Sequence, residues 1–270
     1  MLSELSYIIW SPDVTAFFGI RWYSLCWLIG LTLSWLVSKK LYKSQDVKDE
    51  LFDPLFIYCF VGVLIGARLG HCLFYQPDYF LSSGTHVIEM LLPIHFMSDG
   101  SVRFTGYEGL SSHGGIIGII VALIFYTRRT GITMWFVLDI LGVSAPITGC
   151  FIRIGNLFNS EIIGKVTDVP WAFVFTRVDM LPRHPGQLYE AIAYGLLFFL
   201  SLLLYRKYKN RVGTGFFFGH CITFVFVFRF LIEFVKDIQE PFEAGMVLNM
   251  GQILSIPFII AGLYCMMRKR

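Results

Sequence analysis

Seven stretches of the chain are almost continuously apolar, and polar residues gather between them in short connectors and two longer loops. The apolar stretches cover residues 16–37, 53–75, 112–127, 132–155, 186–205, 215–234 and 249–267. A helix needs about 20 apolar residues to cross the hydrocarbon core of a bilayer. The pattern therefore predicts an all-α integral membrane protein with about seven transmembrane helices, forming a single polytopic domain over residues 1–270.

The composition agrees with this pattern. Of the 270 residues, 56% are hydrophobic and only 15% are charged, whereas a soluble domain carries about 25% charged residues. This balance excludes a water-soluble enzyme and a disordered protein. The two longer connectors, about 76–111 and 156–185, contain proline, glycine and mixed charge. We expect surface loops or a small extracytoplasmic cap there.

The distribution of lysine and arginine predicts the orientation. One set of connectors, with the C-terminal tail, carries thirteen cations: Lys39, Lys40, Lys43, Lys48, Arg128, Arg129, Arg206, Lys207, Lys209, Arg211, Arg268, Lys269 and Arg270. The opposite set carries five: Arg103, Lys165, Arg177, Arg183 and Lys236. The positive-inside rule places the C-terminus in the cytoplasm and the N-terminus outside. It also explains the net charge of +3, so we expect no nucleic-acid partner.

Four cations fall within the predicted spans: Arg21, Arg68, Arg153 and Arg229. An arginine at a helix centre costs about 2.5–3.5 kcal/mol on insertion scales, so each needs a reason to be there. The predicted topology places all four in the outer half of the membrane. Glu233, His113 and the stretch from His184 to Glu190 belong to the same layer. This asymmetry indicates a site on the outer side that suits an anion.

The segment RIGNLFNSEIIG carries the densest polar group. Arg153 and Asn156 are three residues apart and share a helix face, and Asn159 and Glu161 follow. An arginine beside amide donors suits a phosphate diester. The alternative is an arginine that snorkels to the interface with Asn and Glu as helix caps. Spacing alone leaves both interpretations open.

Three other positions can also be interpreted in structural terms. His113 precedes two glycines at the start of a span, where it could transfer a proton or be structural. Arg229 and Glu233 are four residues apart, so their ion pair could stabilise the arginine in the membrane or prepare it for an anion. For Tyr23, an aromatic belt at the outer interface is the default interpretation.

Arg68 lies among Gly62, Gly66 and Gly70, whose spacing of four is typical of a close-packing helix face. Helix packing explains the glycines but not the arginine, so Arg68 is a further candidate for substrate binding. The sequence contains no glycine-rich phosphate loop and no paired metal-ligand motif. We therefore predict an anionic lipid headgroup as ligand, with no metal and no cofactor.

At this point a family resemblance is visible. RIGNLFNSE closely resembles the signature of the bacterial phosphatidylglycerol–prolipoprotein diacylglyceryl transferases. The other blocks follow in family order and cover nearly the whole chain: IRWYSL, GARLGHCLFY, SSHGG, RHPGQLYEA, RFLIEF and GQILSIP. The resemblance implies a multi-pass protein of the bacterial cytoplasmic (inner) membrane with its active site on the extracytoplasmic side.

The resemblance also implies a reaction. The diacylglyceryl group of phosphatidylglycerol moves to the lipobox cysteine thiol of a prolipoprotein, which forms a thioether and releases glycerol 1-phosphate. The partners are then phosphatidylglycerol, prolipoprotein signal peptides and the lipid bilayer, without a cofactor. By matching position, the substrate-binding residues are Arg153, Asn156, Asn159 and Glu161, to which we add Arg68. The catalytic residues are His113, Tyr23, Arg229 and Glu233.

This chain departs from the family pattern at three places. Val225 stands where a tyrosine is common, Ser160-Glu161 replaces a common Gly-Glu, and Lys236-Asp237-Ile238-Gln239 replaces the usual Arg-x-Pro-Asp. Two other classes of protein stay open. A non-catalytic protein that binds or transports anionic lipids would also gather arginines in one leaflet. Another lipid-headgroup enzyme, such as a phosphotransferase, would usually require acidic metal ligands.

Overall fold

The structure is a computed structural model that describes residues 7–97, 100–104, 109–237 and 245–268, except the side chain of Ser112. Of the described residues, 67% are helical. The described helices are α1 (Trp22–Ser44), α2 (Asp49–Phe74), α3 (Pro77–Phe80), α4 (Gly84–Leu91), α5 (Ser112–Thr130), α6 (Met134–Asn159), α7 (Gly186–Tyr208), α8 (Phe216–Ile232) and α9 (Met250–Met267). The described strands are β1 (Ile8–Trp10), β2 (Ile94–Phe96), β3 (Val102–Phe104), β4 (Phe173–Phe175) and β5 (Pro182–Arg183).

Each of the seven predicted spans overlaps one long helix. By length and composition, four helical segments of the described chain could cross a membrane: Asp49–Phe74, Met134–Asn159, Gly186–Arg211 and Met250–Met267. The helical membrane-protein class is therefore confirmed, and the count of seven spans stays a prediction.

The chain divides into two compact units. The first unit comprises the described parts of Met1–Leu41 and Trp135–Arg270, and the second unit is Tyr42–Met134. In the first unit, the buried carboxylate of Asp139 on α6 accepts hydrogen bonds from the N–H groups of Gly213, Gly215 and Phe218, at 2.8, 2.9 and 3.0 Å. These bonds satisfy amide groups at the start of α8, which a helix cannot satisfy internally. The single-domain description of the chain stays a prediction.

The first helix begins later than the sequence pattern predicts. The predicted span starts at residue 16, but Phe18 and Gly19 have left-handed backbone conformations, with φ of 52° and 74°. This turn closes with a 2.8 Å hydrogen bond from the Ala16 N–H to the Ile20 carbonyl oxygen. Arg21 is exposed and forms an isolated β-bridge with Thr15. Arg21 therefore directly precedes α1, and its placement within a membrane span stays a prediction.

In the second unit, the glycines of α2 bring it close to α5. A Cβ added at Gly62 would lie 2.6 Å from the carbonyl oxygen of Gly118, and one added at Gly70 would lie 2.7 Å from the Cα of Gly114. Neither distance leaves room for a side chain. The spacing of four residues therefore serves backbone-to-backbone packing, as the sequence predicts.

A small sheet covers the end of α6 in the first unit. β1 pairs parallel to β4, and β4 pairs antiparallel to β5. The ring nitrogen of Trp10 donates a 2.9 Å hydrogen bond to the Leu157 carbonyl oxygen of α6. Leu157, Phe173 and Phe175 form a buried cluster beneath this contact. The connector 156–185 is thus a packed cap that fixes where α6 ends.

Candidate active site

Four helix ends meet in the first unit: the C-terminal ends of α6 and α8, and the N-terminal ends of α7 and α9. Polar and charged side chains from these ends, and from the segments that follow α6 and α8, contact one another. The group comprises Arg153, Asn156, Asn159, Glu161, Gln187, Glu190, Arg229, Glu233, Lys236 and Asn249.

The end of α6 presents a connected row of donors and acceptors. The Arg153 guanidinium lies 3.4 Å from the Oδ1 of Asn156. Both asparagines then donate to the carboxylate of Glu161, Asn156 at 3.1 Å and Asn159 at 2.5 Å. The four residues predicted on the RIGNLFNSE block therefore lie together.

The backbone after α6 explains how Glu161 turns back toward the helix. Ser160 and Ile162, on either side of Glu161, both have φ of 57°, a conformation that favours glycine. Ser160, which stands where a glycine is common in the family pattern, therefore adopts a conformation that glycine would adopt more easily, and nothing in the structure explains the serine. Gln187, which is fully buried, donates through its side-chain amide to the Glu161 carbonyl oxygen. The loop is thus held from α7.

Glu190 on α7 is the central carboxylate of the group. It is fully buried, and its Oε2 lies 3.2 Å from the Nε of Arg153 in an ion pair. Its Oε1 accepts a 3.3 Å hydrogen bond from the Nζ of Lys236. Removing one partner from such a pair leaves an uncompensated buried charge. Glu190 therefore fixes the Arg153 side chain against α7.

Glu233 forms the second carboxylate centre, at the end of α8. Its Oε1 lies 3.8 Å from Arg229 and 3.4 Å from the Nζ of Lys236. Its Oε2 accepts a 3.0 Å hydrogen bond from the side chain of Asn249. A Cβ added at Gly251 would lie 2.8 Å from the Glu233 carboxylate carbon. The predicted Arg229–Glu233 contact is present, but it is longer than the other ion pairs of the group, and Arg229 is 38% exposed.

Tyr23, the second residue of α1, belongs to the first unit, as the site does. A Cβ added at Gly155 of α6 would lie 2.9 Å from the Tyr23 ring. Gly155 is two residues after Arg153. The ring therefore packs against the stretch of α6 that carries the signature arginine.

His113 lies in the second unit, in the first turn of α5, and its side chain is exposed. The Ser111 hydroxyl caps this helix by accepting from the Gly114 N–H at 3.3 Å. The Ser111 N–H donates to the Ala67 carbonyl oxygen of α2 at 2.9 Å. The start of α5, and with it His113, is therefore anchored to α2.

Arg68 also lies in the second unit and is bound by backbone and aromatic groups. Its guanidinium donates to the carbonyl oxygens of Glu89 at 2.9 Å and Met90 at 3.3 Å. Its Cζ lies 4.9 Å from the ring centroid of Phe80. A cation at the last carbonyls of a helix stabilises that helix end. Arg68 thus connects α2 to α4, and its predicted substrate-binding role stays a prediction.

The contacts of Arg68 show that the connector 76–111 is more than a surface loop. It contains α3, α4 and the antiparallel pair β2–β3. Burial would raise the pKa of Glu89, but hydrogen bonds from the Phe96 N–H and the Tyr79 hydroxyl, with His95 nearby, hold that pKa below its ordinary value. The ionised Glu89 therefore joins α3, α4 and the β2–β3 hairpin.

Arg183 forms a second charged group beside the site. It donates to Asp179 at 2.6 Å and to Asp237, the residue after Lys236, at 2.8 Å. The hydrogen bonds from Arg183 hold the pKa of Asp179 below its ordinary value. Burial lowers the pKa of the neighbouring His184. This ion-pair group ties β5 to the segment that carries Lys236.

The structure adds four residues that the sequence analysis left out of the site: Gln187, Glu190, Lys236 and Asn249. In the sequence, the position of Glu190 near the start of a predicted span suggests ordinary stabilisation of a helix N-terminus, and Lys236 is counted only as an outer-loop cation. The outer layer contains more arginines than carboxylates, and an arginine in the membrane needs a partner. This imbalance could have identified Glu190 as the partner of an arginine. Among the residues that the structure describes, no group of three or more His, Cys, Asp or Glu side chains is arranged to hold a metal ion.

Comparison with known sequences decides the family. The sequence model of the prolipoprotein diacylglyceryl transferases matches residues 13–268. The chain belongs to this family. A phosphatidylglycerol–prolipoprotein diacylglyceryl transferase of Bacteroides fragilis is 54% identical over 261 residues, which covers 95% of this chain and 93% of the relative.

More distant relatives carry the same name. The protein of Tolumonas auensis is 41% identical and covers 92% of this chain and 91% of its own length. That of Brucella ovis is 35% identical and covers 93% of this chain and 88% of its own length. Membership of this family, together with the long apolar helices, makes the chain a multi-pass membrane protein of a transferase family.

Proposed function

We propose that the protein transfers the diacylglyceryl group of phosphatidylglycerol to the lipobox cysteine of prolipoproteins, the first step of bacterial lipoprotein maturation. The names of its relatives support this reaction. The observation that carries the proposal is the position of Arg153. A buried carboxylate and an amide side chain hold its guanidinium where four helix ends meet. A guanidinium so fixed offers planar, permanently charged donors to a phosphate diester.

The reaction is a nucleophilic substitution at the carbon of the diacylglyceryl group that is bonded to the phosphate oxygen. The cysteine sulfur forms a bond to this carbon, and the carbon–oxygen bond to the phosphate breaks. The bonding electrons leave with glycerol 1-phosphate, and the thiol proton passes to a base. A free cysteine thiol has a pKa of about 8.5, so a base increases the fraction of reactive thiolate at neutral pH. His113 is our candidate base, with Tyr23 as the second candidate.

Arg153 and Arg229 act on the leaving phosphate. Negative charge accumulates on its oxygens as the carbon–oxygen bond breaks. Guanidinium groups that are already in place stabilise this charge without reorganising. Asn156, Asn159 and Glu161 would orient the headgroup around Arg153, and Glu233 would orient Arg229.

The same proposal includes a location. Seven spans with the N-terminus outside and the C-terminus in the cytoplasm would place these helix ends on the extracytoplasmic side of the inner membrane. This orientation follows the lysine and arginine distribution of the sequence. Precursors that have just crossed the membrane would meet the enzyme on that side.

Mass spectrometry of a lipobox peptide tests the reaction. Purified protein is incubated with the peptide and phosphatidylglycerol, and a peptide with serine in place of the cysteine is the control. We expect the cysteine peptide alone to gain one diacylglyceryl mass, with release of glycerol phosphate. If phosphatidylglycerol binds and the peptide stays unmodified, the transferase proposal fails. The arginine group would then be a lipid-binding site in a protein without this chemistry.

A further inference from the structure

Lys236 is a buried cation that the proposed mechanism does not yet use. It follows α8 and is only 3% exposed. Its Nζ lies 3.3 Å from the Oε1 of Glu190 and 3.4 Å from the Oε1 of Glu233. A lysine is almost never buried to this extent unless it is paired. Lys236 is paired with two carboxylates of the site at once.

These contacts join five charged groups into one series of ion pairs, the ion-pair chain. Arg153 pairs with Glu190, Glu190 with Lys236, Lys236 with Glu233, and Glu233 with Arg229. Both proposed phosphate-binding arginines therefore connect to Lys236 through a glutamate. Three cations alternate with two carboxylates in this ion-pair chain, and a third carboxylate, that of Glu161, is connected to Arg153 through Asn156. Without Lys236 the carboxylates of the site would outnumber its cations, and the attraction of the site for an anionic headgroup would weaken.

The backbone holds Lys236 in this position. Lys236 forms an isolated β-bridge with Gly164. On either side of it, the Lys165 N–H donates to the Val235 carbonyl oxygen at 2.8 Å, and the Asp237 N–H donates to the Ile163 carbonyl oxygen at 3.3 Å. The bridge ties the segment after α8 to the loop after α6. The position of the ammonium group therefore does not depend on its flexible side chain alone.

We propose that Lys236 is a positioning residue that sets the distance between Glu190 and Glu233. Through these two glutamates it holds Arg153 and Arg229 where both guanidinium groups can bind the same phosphate. This inference rests on the proposed function. It assigns a role to the first residue of the segment that departs from the family pattern. Lys236 itself does not touch the reacting atoms; it acts through the two glutamates.

The test compares three variants in the peptide assay. Lys236→Met removes the ammonium group and keeps a chain of similar length, and Lys236→Arg keeps a cation. Lys165→Met is the matched control, because Lys165 is an exposed lysine in the neighbouring segment that contacts a backbone carbonyl oxygen. For each variant, kcat and the separate KM values for phosphatidylglycerol and peptide are measured, together with the apparent melting temperature.

We expect Lys236→Met to raise the KM for phosphatidylglycerol about 10- to 100-fold, because charge-assisted contacts are lost. The KM for the peptide should stay unchanged, Lys236→Arg should recover most of the loss, and Lys165→Met should resemble the wild type. A purely structural role would lower the melting temperature and leave the lipid KM of the folded fraction unchanged. That result would overturn the proposal.

A second variant keeps the proposal testable if Lys236→Met does not fold. Glu190→Gln removes one carboxylate of the chain and keeps the side-chain shape. We expect it to raise the KM for phosphatidylglycerol as well, and an unchanged KM would contradict the inference. A wild-type protein that modifies no peptide would refute the proposed function instead, so the two failures are distinguishable.

Discussion

The two units each hold a buried or half-buried arginine on an apolar helix, but they satisfy it with different partners. Arg153 in the first unit meets the side chains of Glu190 and Asn156. Arg68 in the second unit meets backbone carbonyl oxygens at the end of α4 and the ring of Phe80. An arginine bound by backbone carbonyls fastens two helices. An arginine held by side-chain ion pairs beside other cations can attract an anion. The partners of an intramembrane arginine therefore say more about its role than its depth does.

The largest expected effect concerns Arg153. We expect Arg153→Ala to reduce diacylglyceryl transfer about 100- to 1,000-fold, as the loss of a fixed donor to a developing anion does in other enzymes. The melting temperature should fall too, because the buried Glu190 loses one of its two cationic partners, so rates are compared for equal amounts of folded protein. The rate of peptide modification measures this effect, with Arg177→Ala, an exposed arginine of the same unit, as the control. Near-normal turnover by Arg153→Ala would contradict the role assigned to the ion-pair chain.

The next prediction asks whether the second unit contributes chemistry. We expect His113→Gln to reduce the transfer rate about 100-fold or more, since a positioned general base typically contributes that much. His86→Gln, in the same unit, is the control and should react at the wild-type rate. The rate is measured across a range of pH. If His113→Gln matches the wild type at every pH, proton abstraction belongs to another residue, and Tyr23 becomes the candidate.

The third prediction concerns Arg68, the arginine that backbone carbonyl oxygens bind in the second unit. We expect Arg68→Gln to lower the free energy of unfolding by about 1–3 kcal/mol, because buried carbonyl acceptors lose their donors. Thermal unfolding in detergent measures this loss, and Arg103→Gln, an exposed arginine of β3, is the control. An unchanged melting temperature would refute the anchoring role. The KM for phosphatidylglycerol of the folded variant then tests the predicted substrate-binding role.

The smallest expected effect concerns the Asp179–Arg183 pair. Because the pKa of Asp179 is lowered in the folded protein, its contribution to stability is present above the ordinary carboxyl pKa and is lost as the pH falls below about 4. We expect Asp179→Asn to lose about 0.5–1 kcal/mol at neutral pH and to lose less stability than the wild type on acidification. The free energy of unfolding is measured at pH 7 and in acid for the wild type and Asp179→Asn. Asp168→Asn, which changes an exposed aspartate, is the control.

Much of the helical part of the fold could be predicted from the sequence, because apolar length is a local signal. The glycine spacing of α2 also predicted a close-packing face, which α5 occupies. The strands could not be predicted in this way. β1 and β4 are three residues each and pair Ile8 with Phe173 across most of the chain. Such short segments carry no periodicity that separates them from loops.

The site was predictable where its residues are neighbours in sequence. Arg153, Asn156, Asn159 and Glu161 share one helix end and its following loop, so spacing alone brings them together. The contact of Arg153 with Glu190 joins two helices, and Lys236 depends on a β-bridge to Gly164. Neither contact has a local signal. The sequence predicts which charges lie within the membrane spans, but not which of these charges form ion pairs.

The most direct test of the central claim is a measurement of lipid binding without turnover. Native mass spectrometry would compare retained phosphatidylglycerol in the wild type, Arg153→Gln and Arg177→Gln, each purified with excess zwitterionic phospholipid. We predict that the wild type and Arg177→Gln select phosphatidylglycerol and that Arg153→Gln does not. Equal selection by Arg153→Gln would contradict the claim that the ion-pair chain of the first unit binds the phosphate.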